Sequence, residues 1–332
     1  MLNDLFITRD VIGFLRHYLI SNDLDFPGYQ QSLDHFSDKQ QMSFEEWWGL
    51  LEELSEIHPV PALGLKIGQC VQVTHCGVLG YLFRTSRNVE EALNCFKRFQ
   101  RLIYAGSQAY LEANNNDTVS IIWDPDFGYS SQLSDELLLA AMVNISREII
   151  YPSKLSLEQV NFTQSIDINQ LPIYEDFFEC KVKPQQEKLS ISFKLTDLQQ
   201  AIPHEDQTLH SILGKQAEEL LNHLPDNDTF LVELRDTIIR SLHEGRSDAE
   251  TIARKLHISN RTLHRRLKTK NRIFRDILKD IRKSMAITYL SDDKLTLTEV
   301  ALLLGFSEQS TFSRAFSNWY GSSPLKYKKQ NL

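Results

Sequence analysis

Residues 251–267 read TIARKLHISNRTLHRRL. Basic side chains are interleaved there with Ile252, Ala253, Leu256, Ile258, Leu263 and Leu267. Such a stretch is either one surface helix with a solvated basic face or two helices and a turn. A second stretch decides between them. Residues 300–316 read VALLLGFSEQSTFSRAF, in which Ala301, Leu304, Phe306, Phe312 and Phe316 repeat the pattern of Ala253, Leu256, Ile258, Leu263 and Leu267. The offset is 48 before the turn and 49 after it, so the second copy carries one extra residue. A small residue, a leucine three later, a turn, and then a helix with apolar positions four apart is helix-turn-helix spacing. The alanine lets two helices approach closely and Gly305 frees the backbone of the turn. Ser259 and Ser307 stand where the caps of the second helices are expected. One such pattern fits any helical hairpin, but two in one basic segment do not arise readily by chance.

Between the copies, residues 272–290 place Phe274, Leu278, Ile281, Met285 and Tyr289 at spacings of 4, 3, 4 and 4. That periodicity predicts one long amphipathic helix, which would hold two reading heads about 34 Å apart for successive major-groove faces. Outside the apolar seam lie Arg261, His264 and Arg265 in the first copy, and Gln309, Ser310, Ser313 and Arg314 in the second. Arginine suits guanine O6/N7, glutamine suits adenine, and serine suits several base edges or phosphates. A merely solvated face would mix charge signs, yet the first face has no acid and the second only Glu308 near its start.

The whole chain agrees. Its 332 residues allow two domains. The net charge of −8 hides a division: residues 231–332 carry 20 Lys+Arg against 11 Asp+Glu (+9), and residues 1–230 carry 16 against 33 (−17). A basic block beside an acidic one suggests one nucleic-acid domain and one domain that keeps away from it. No segment has the uncharged apolar length of a membrane span, and the start of the chain lacks the basic-then-apolar pattern of a secretory signal. None of the four cysteines forms Cys-x-x-Cys, which argues against a zinc site or disulfide framework and for a reducing cytoplasm.

The first 200 residues alternate helical and strand signals. Asn88 with Glu91, and Ser43 with Glu46, are capping-box patterns opening helices over VEEALNCFKRFQRLIYAG, stopping at Gly106, and over FEEWWGLLEELSEI. QAYLEA and TVSIIW flanking NNND predict a hairpin, and Ser134 is the expected cap of a helix over SDELLLAAMVNISREII. LSLEQVNF and KLSISF read as strands around a short helix, PIYEDFFE. PHEDQT breaks the pattern, and a helix with Leu209, Leu213, Gln216, Leu220 and Leu224 follows, either a connector, a dimer helix or one packed on its own domain. After Asn227 and Asp228, FLVELRDTIIRSLHEG opens the basic region and stops at Gly245. The expected architecture is therefore multidomain: a mixed α/β domain over 1–202, a helical linker over 203–229, and an all-α domain over 230–332 with two helix-turn-helix motifs joined by a long helix. His75–Cys76 invites a nucleophile reading, but HCGVLGYLF is apolar and favours a buried structural thiol. Neither metal-spaced histidines nor a phosphate-cradling glycine loop is present, so no metal, cofactor or catalytic residue is assigned. Trp47, Trp48, Phe96, Phe99, Tyr104 and Trp123 are candidates for either core or pocket.

The stretch from about 230 to 329 resembles the DNA-binding domain of AraC/XylS-type transcription regulators. Ile252-Ala253, Ser259, Leu263 and Arg265 match in the first half, and Arg282, Ala286 and Tyr289-Leu290 in the linking helix. Val300-Ala301, Gly305-Phe306, Thr311-Phe312-Ser313-Arg314, Phe316, Gly321, Ser323-Pro324 and Tyr327 match in the second half. His257 and Asn271 stand where the family often has glycine, and both residue types tolerate positive φ. FPGYQQ, NVEEALNCFKRF and FFECKVKPQQEKLSISFKLTDLQQAIP resemble the α/β effector-binding and dimerisation domain of one branch of these regulators, not the β-rich cupin of another. The resemblance implies a cytoplasmic, nucleoid-associated regulator of promoter DNA. Its partners would be RNA polymerase, an unidentified small-molecule effector and a second copy of the chain. It puts Arg261, His264, Arg265, Gln309, Ser310, Ser313 and Arg314 at base-reading positions. Lys268, Arg272, Lys326 and Lys328 fall to phosphate contacts, which position a protein without reading sequence. Two alternatives remain: a ligand-independent regulator controlled by abundance or a protein partner, and a DNA-repair enzyme fused to this module. The repair enzyme would need a reactive cysteine in a proline-cysteine-histidine setting, which is absent.

Overall fold

The computed structural model describes residues 6–37, 39, 41–104, 106, 108–114, 117–123, 131–224, 229–269, 272–291 and 295–331. Asn227, Asp228 and Asn271 lie outside them. The described residues fall into two compact units, one within 6–224 and one within 229–331. None of their helices is long and apolar enough to cross a membrane.

The first unit is mixed α/β. It opens with β1 (Phe6–Thr8), α1 (Ile12–Ser21), α2 (Pro27–Ser37), β2 (Gln41–Ser43) and α3 (Phe44–Ile57), β1 pairing antiparallel with β2. Strands of three residues carry too little periodicity to be read in advance. The Ser43–Glu46 capping box is complete: Ser43 Oγ accepts from the Glu46 N–H at 3.2 Å and Glu46 Oε2 accepts from the Ser43 N–H at 2.8 Å. Then come α4 (Leu63–Gln69), α5 (Gly77–Thr85) and α6 (Val89–Phe99), where Asn88 caps through a bond from the Glu91 N–H at 2.9 Å. α6 ends at Phe99 rather than running to Gly106. The Gln100 amide turns back to bind both the N–H and the C=O of Ala109, which steers the chain toward the sheet.

The hairpin of β3 (Tyr110–Asn114) and β4 (Thr118–Trp123) forms as expected. α7 (Gln132–Ile150) begins two residues before Ser134, so Ser134 lies inside the helix and caps nothing. β5 (Leu157–Asn161), α8 (Leu171–Phe178), β6 (Lys181–Lys183) and β7 (Leu189–Lys194) complete a five-stranded sheet of order β3-β4-β7-β5-β6. Leu139, Ala140 and Val143 of α7 pack on Val119, Ile121, Val160, Ile191 and Phe193 of that sheet. α4 also approaches α7 closely, since a Cβ on Gly68 would lie 2.5 Å from the Ala140 Cβ. α9 (Gln207–His223), capped by Asp206, closes the unit against α5 and α6 with Ala217 buried and Leu209, Ile212 and Leu220 exposed.

The second unit is all helical: α10 (Thr229–His243), α11 (Ala249–Lys255), α12 (Asn260–Thr269), α13 (Phe274–Ser291), α14 (Leu297–Leu303), α15 (Gln309–Tyr320) and α16 (Pro324–Asn331). α13 is the single long helix that the spacing predicted. One core gathers Leu234, Ile238 and Leu242 of α10, Phe274, Ile281 and Met285 of α13, and the repeated residues Ala253, Leu263, Leu267, Ala301, Leu304, Phe312 and Phe316. Leu256, Ile258 and Phe306 pack at its edge.

Candidate nucleic-acid interface and apolar cavity

Both turns are built alike. α11 ends with the Ile258 N–H on the Ala253 carbonyl and the His257 N–H on the Arg254 carbonyl, both at 3.0 Å. α14 ends with the Phe306 N–H on the Ala301 carbonyl and the Gly305 N–H on the Leu302 carbonyl, both at 2.9 Å. Each pair of bonds is a Schellman motif, which requires a left-handed residue. His257 (φ 56°) and Gly305 (φ 68°) fill that role, so histidine does adopt the conformation glycine would.

The copies diverge one step later. Ser259 caps α12, its Oγ accepting from the Thr262 N–H at 3.1 Å. Ser307 does not cap α15. The extra residue of the second copy falls between it and the helix, so Glu308 takes the cap position without a side-chain cap bond. Glu308 Oε2 instead accepts from the Ser310 hydroxyl at 3.0 Å.

On α12, Leu263 and Leu267 are buried while Arg261, His264, Arg265 and Lys268 are exposed. Their spacings of three, four and seven place those four side chains on one stripe. On α15, Phe312 and Phe316 are buried; Gln309, Ser310 and Arg314 are exposed and Ser313 is half-buried. Gln309 Oε1 accepts from the Thr298 hydroxyl at 2.8 Å, tying the start of α15 to α14. Arg272 follows α12 half-buried, its N–H on the Leu267 carbonyl at 3.0 Å. Lys326 is exposed and Lys328 half-buried on α16.

Spacing alone did not show what Arg282 does. From α13 its guanidinium donates to the carbonyls of Leu304 (2.8 Å) and Gly305 (3.0 Å) and to Ser247 Oγ (3.3 Å). It also lies 4.5 Å from the centre of the Phe306 ring. One side chain thus fixes the second turn to the linking helix. A polar residue on an otherwise apolar helix face was the available signal.

The first unit contains a cavity of ≈140 Å³. Trp47, Phe96, Tyr104 and Trp123 line it, four of the six aromatics considered for a pocket; Trp48 and Phe99 do not. Cys76 also lines it, buried, with burial pushing its thiol up to about 12. That thiol stays protonated at neutral pH and is no nucleophile. Elsewhere on α7, Glu136 is 1 % exposed, and its carboxylate accepts from the Tyr174 hydroxyl (2.5 Å), the Gln132 amide (2.8 Å) and the Gly64 N–H (3.0 Å). It ties α4, α7 and α8 together.

Residues 32–202 match the family described as the arabinose-binding domain of AraC transcription regulator, N-term, and residues 252–330 match a helix-turn-helix domain family. The ornithine utilization regulator of Pseudomonas aeruginosa is 26% identical over 294 residues, covering 88% of this chain and 86% of that one. The HTH-type transcriptional regulator VirS of Mycobacterium tuberculosis is 25% identical over 326 residues, covering 96% and 91%. The crystal structure of the transcriptional regulator CdpR from Pseudomonas aeruginosa aligns over 95% of this chain and 96% of that one, at 18% identity and a TM-score of 0.46.

Proposed function

The chain belongs to the AraC family of transcription regulators, and we propose that it reads a two-box promoter site through α12 and α15 in response to a small molecule held in its first unit. It is a DNA-binding regulator and not an enzyme. The observation that carries the reading is the duplicated motif itself. Two Schellman-closed turns each present a helix whose apolar side is buried in one core and whose outward side bears Arg261, His264, Arg265 or Gln309, Ser310, Ser313, Arg314. In this reading those residues contact base edges, and Lys268, Arg272, Lys326 and Lys328 contact phosphates. RNA polymerase is the downstream partner, a second copy of the chain the assembly partner, and the cytoplasm the compartment. The effector acts by shifting a population between DNA-competent and incompetent states. A matching effector-binding domain and a cavity in the first unit favour this over control by abundance alone.

The test is selection of binding sites from random-sequence duplex DNA by the full-length chain, followed by footprinting. Enrichment of a site with two protected boxes supports the reading. Binding without enrichment, equal on all duplexes, overturns it.

A further inference from the structure

The cavity in the first unit has a definite chemistry. It is walled by Ile7 and Val11, by Phe83 of α5, by α6 and by the apolar face of α7. Among the described residues that line it there is no Asp, Glu, Lys, Arg or His. Its lining side chains are mostly apolar, and two of the polar ones, Gln100 and Ser146, are committed within the protein. Gln100 uses its Oε1 on the Ala109 N–H (2.8 Å) and its Nε2 on the carbonyls of Lys97 and Ala109 (3.2 Å each). Ser146 Oγ donates to the Met142 carbonyl at 2.8 Å. A sugar, with a hydroxyl on nearly every carbon, would bury several of them without partners, each weakening binding by about tenfold or more. An apolar ring has no such cost, and an apolar cavity of about 150 Å³ is known to hold benzene.

α6 has two faces. Val89, Ala92, Leu93 and Phe96 line the cavity. The opposite side meets α9: Cys95 Sγ lies 3.6 Å from His210 Nε2, Arg98 Nε pairs with Glu218 at 2.5 Å, and Glu91 accepts from the Gln207 amide at 3.3 Å. His210 Nδ1 also lies 3.2 Å from the Thr85 hydroxyl at the end of α5. α9 is the last helix of the first unit, and the chain runs from it into α10 of the DNA-reading unit.

We propose that this cavity takes an uncharged, apolar effector about the size of an aromatic ring, not a sugar, and that α6 carries its occupancy to α9. The proposal rests on the reading of the chain as an effector-responsive regulator and specifies the effector's class and its route. An occupant pressing on one face of a rigid helix changes the seat of whatever packs on the other face.

The test uses the full-length chain with toluene and L-arabinose as probes. Thermal unfolding should shift upward by several degrees with toluene and not with L-arabinose. Filling the space with Ala141→Leu or Ile145→Phe should remove the toluene shift. Each variant counts only if its own melting without toluene is cooperative; unchanged melting of the wild-type chain in toluene overturns the cavity assignment whatever the variants do. Stabilisation by L-arabinose does so as well. Toluene should also change affinity for the selected DNA site severalfold. In His210→Ala and in Glu218→Ala the melting shift should persist while the change in DNA affinity disappears. A retained DNA response in both variants overturns the route through α6 and α9. A melting shift in wild type with no DNA response overturns that route and the effector-responsive reading together, leaving the apolar assignment of the cavity standing.

Discussion

Arg265 and Lys268 lie one turn apart on the same exposed stripe of α12, and they should fail in different ways when removed. A guanidinium set against a guanine edge contributes discrimination. Arg265→Ala should therefore cost about 1–3 kcal/mol on the selected site and relax preference at one base pair, and Arg314→Ala should do the same in the other box. An ammonium on phosphate contributes affinity without discrimination. Lys268→Ala should weaken selected and random duplexes alike and reduce the slope of log K against log salt by about one. Titrations on both duplexes at several salt concentrations separate the two; an Arg265→Ala variant weakened equally on both would move Arg265 to the phosphate class. In the first unit, Glu136 makes a different residue-scale prediction. Burial raises its pKa despite hydrogen bonds from Tyr174, Gln132, Gly64 and Leu65 that favour the carboxylate. A raised folded-state pKa means that the folded chain holds this proton more tightly than the unfolded chain. Its contribution is thus full below the ordinary carboxylate range and is lost as pH rises through the raised value. Glu136→Gln removes the titration, so the variant should gain stability relative to wild type as pH climbs through that window. Parallel urea midpoints at every pH would contradict it.

At the scale of elements, the two turns are the points of highest leverage. Gly305 has φ 68°, and a Cβ there would meet the Leu242 side chain at 3.1 Å and the Arg282 guanidinium at 3.3 Å. Gly305→Ala should cost about 1–2 kcal/mol, from left-handed strain alone or with repacking added. His257 already bears that strain, so His257→Gly should be neutral or stabilise by up to about 1 kcal/mol. Urea unfolding of the two variants checks the asymmetry, which fails if Gly305→Ala is neutral. What was legible in the sequence follows from the same physics. A repeated apolar seam at helical spacing fixes which side of α12 and α15 is buried, so the outward residues could be named before any coordinates. The cap at Ser307 was misplaced because the extra residue could sit on either side of the serine without disturbing the apolar repeat. Ser134 was misplaced because a helix buried along much of its length, as α7 is, gives little amphipathic contrast to mark its start. The cavity was half legible: its aromatics were visible, but only the fold shows that Trp48 and Phe99 turn elsewhere while Gln100 spends its amide on Ala109.

For the whole molecule the decisive fact is that both helix-turn-helix motifs belong to one polypeptide and one core. α13 runs unbroken for 18 residues, about 27 Å at 1.5 Å per residue. Its Phe274, Ile281 and Met285 sit in the same core as the apolar residues of both motifs, and Arg282 fastens the second turn to it. The separation of the two heads is therefore a property of the folded chain and cannot stretch to follow the DNA. A symmetric dimer with one head per subunit would tolerate half-sites moved apart by a whole helical turn far better than by half a turn, if its subunits could adjust. Two heads fixed on one α13 should tolerate neither. Inserting 5 or 10 base pairs between the two boxes of the selected site should each reduce affinity to that of a single box. A duplex with 10 inserted pairs that keeps full affinity would show that the heads move independently. It would mean that the contacts of Arg282 and the shared core do not hold the second motif in place when DNA is bound.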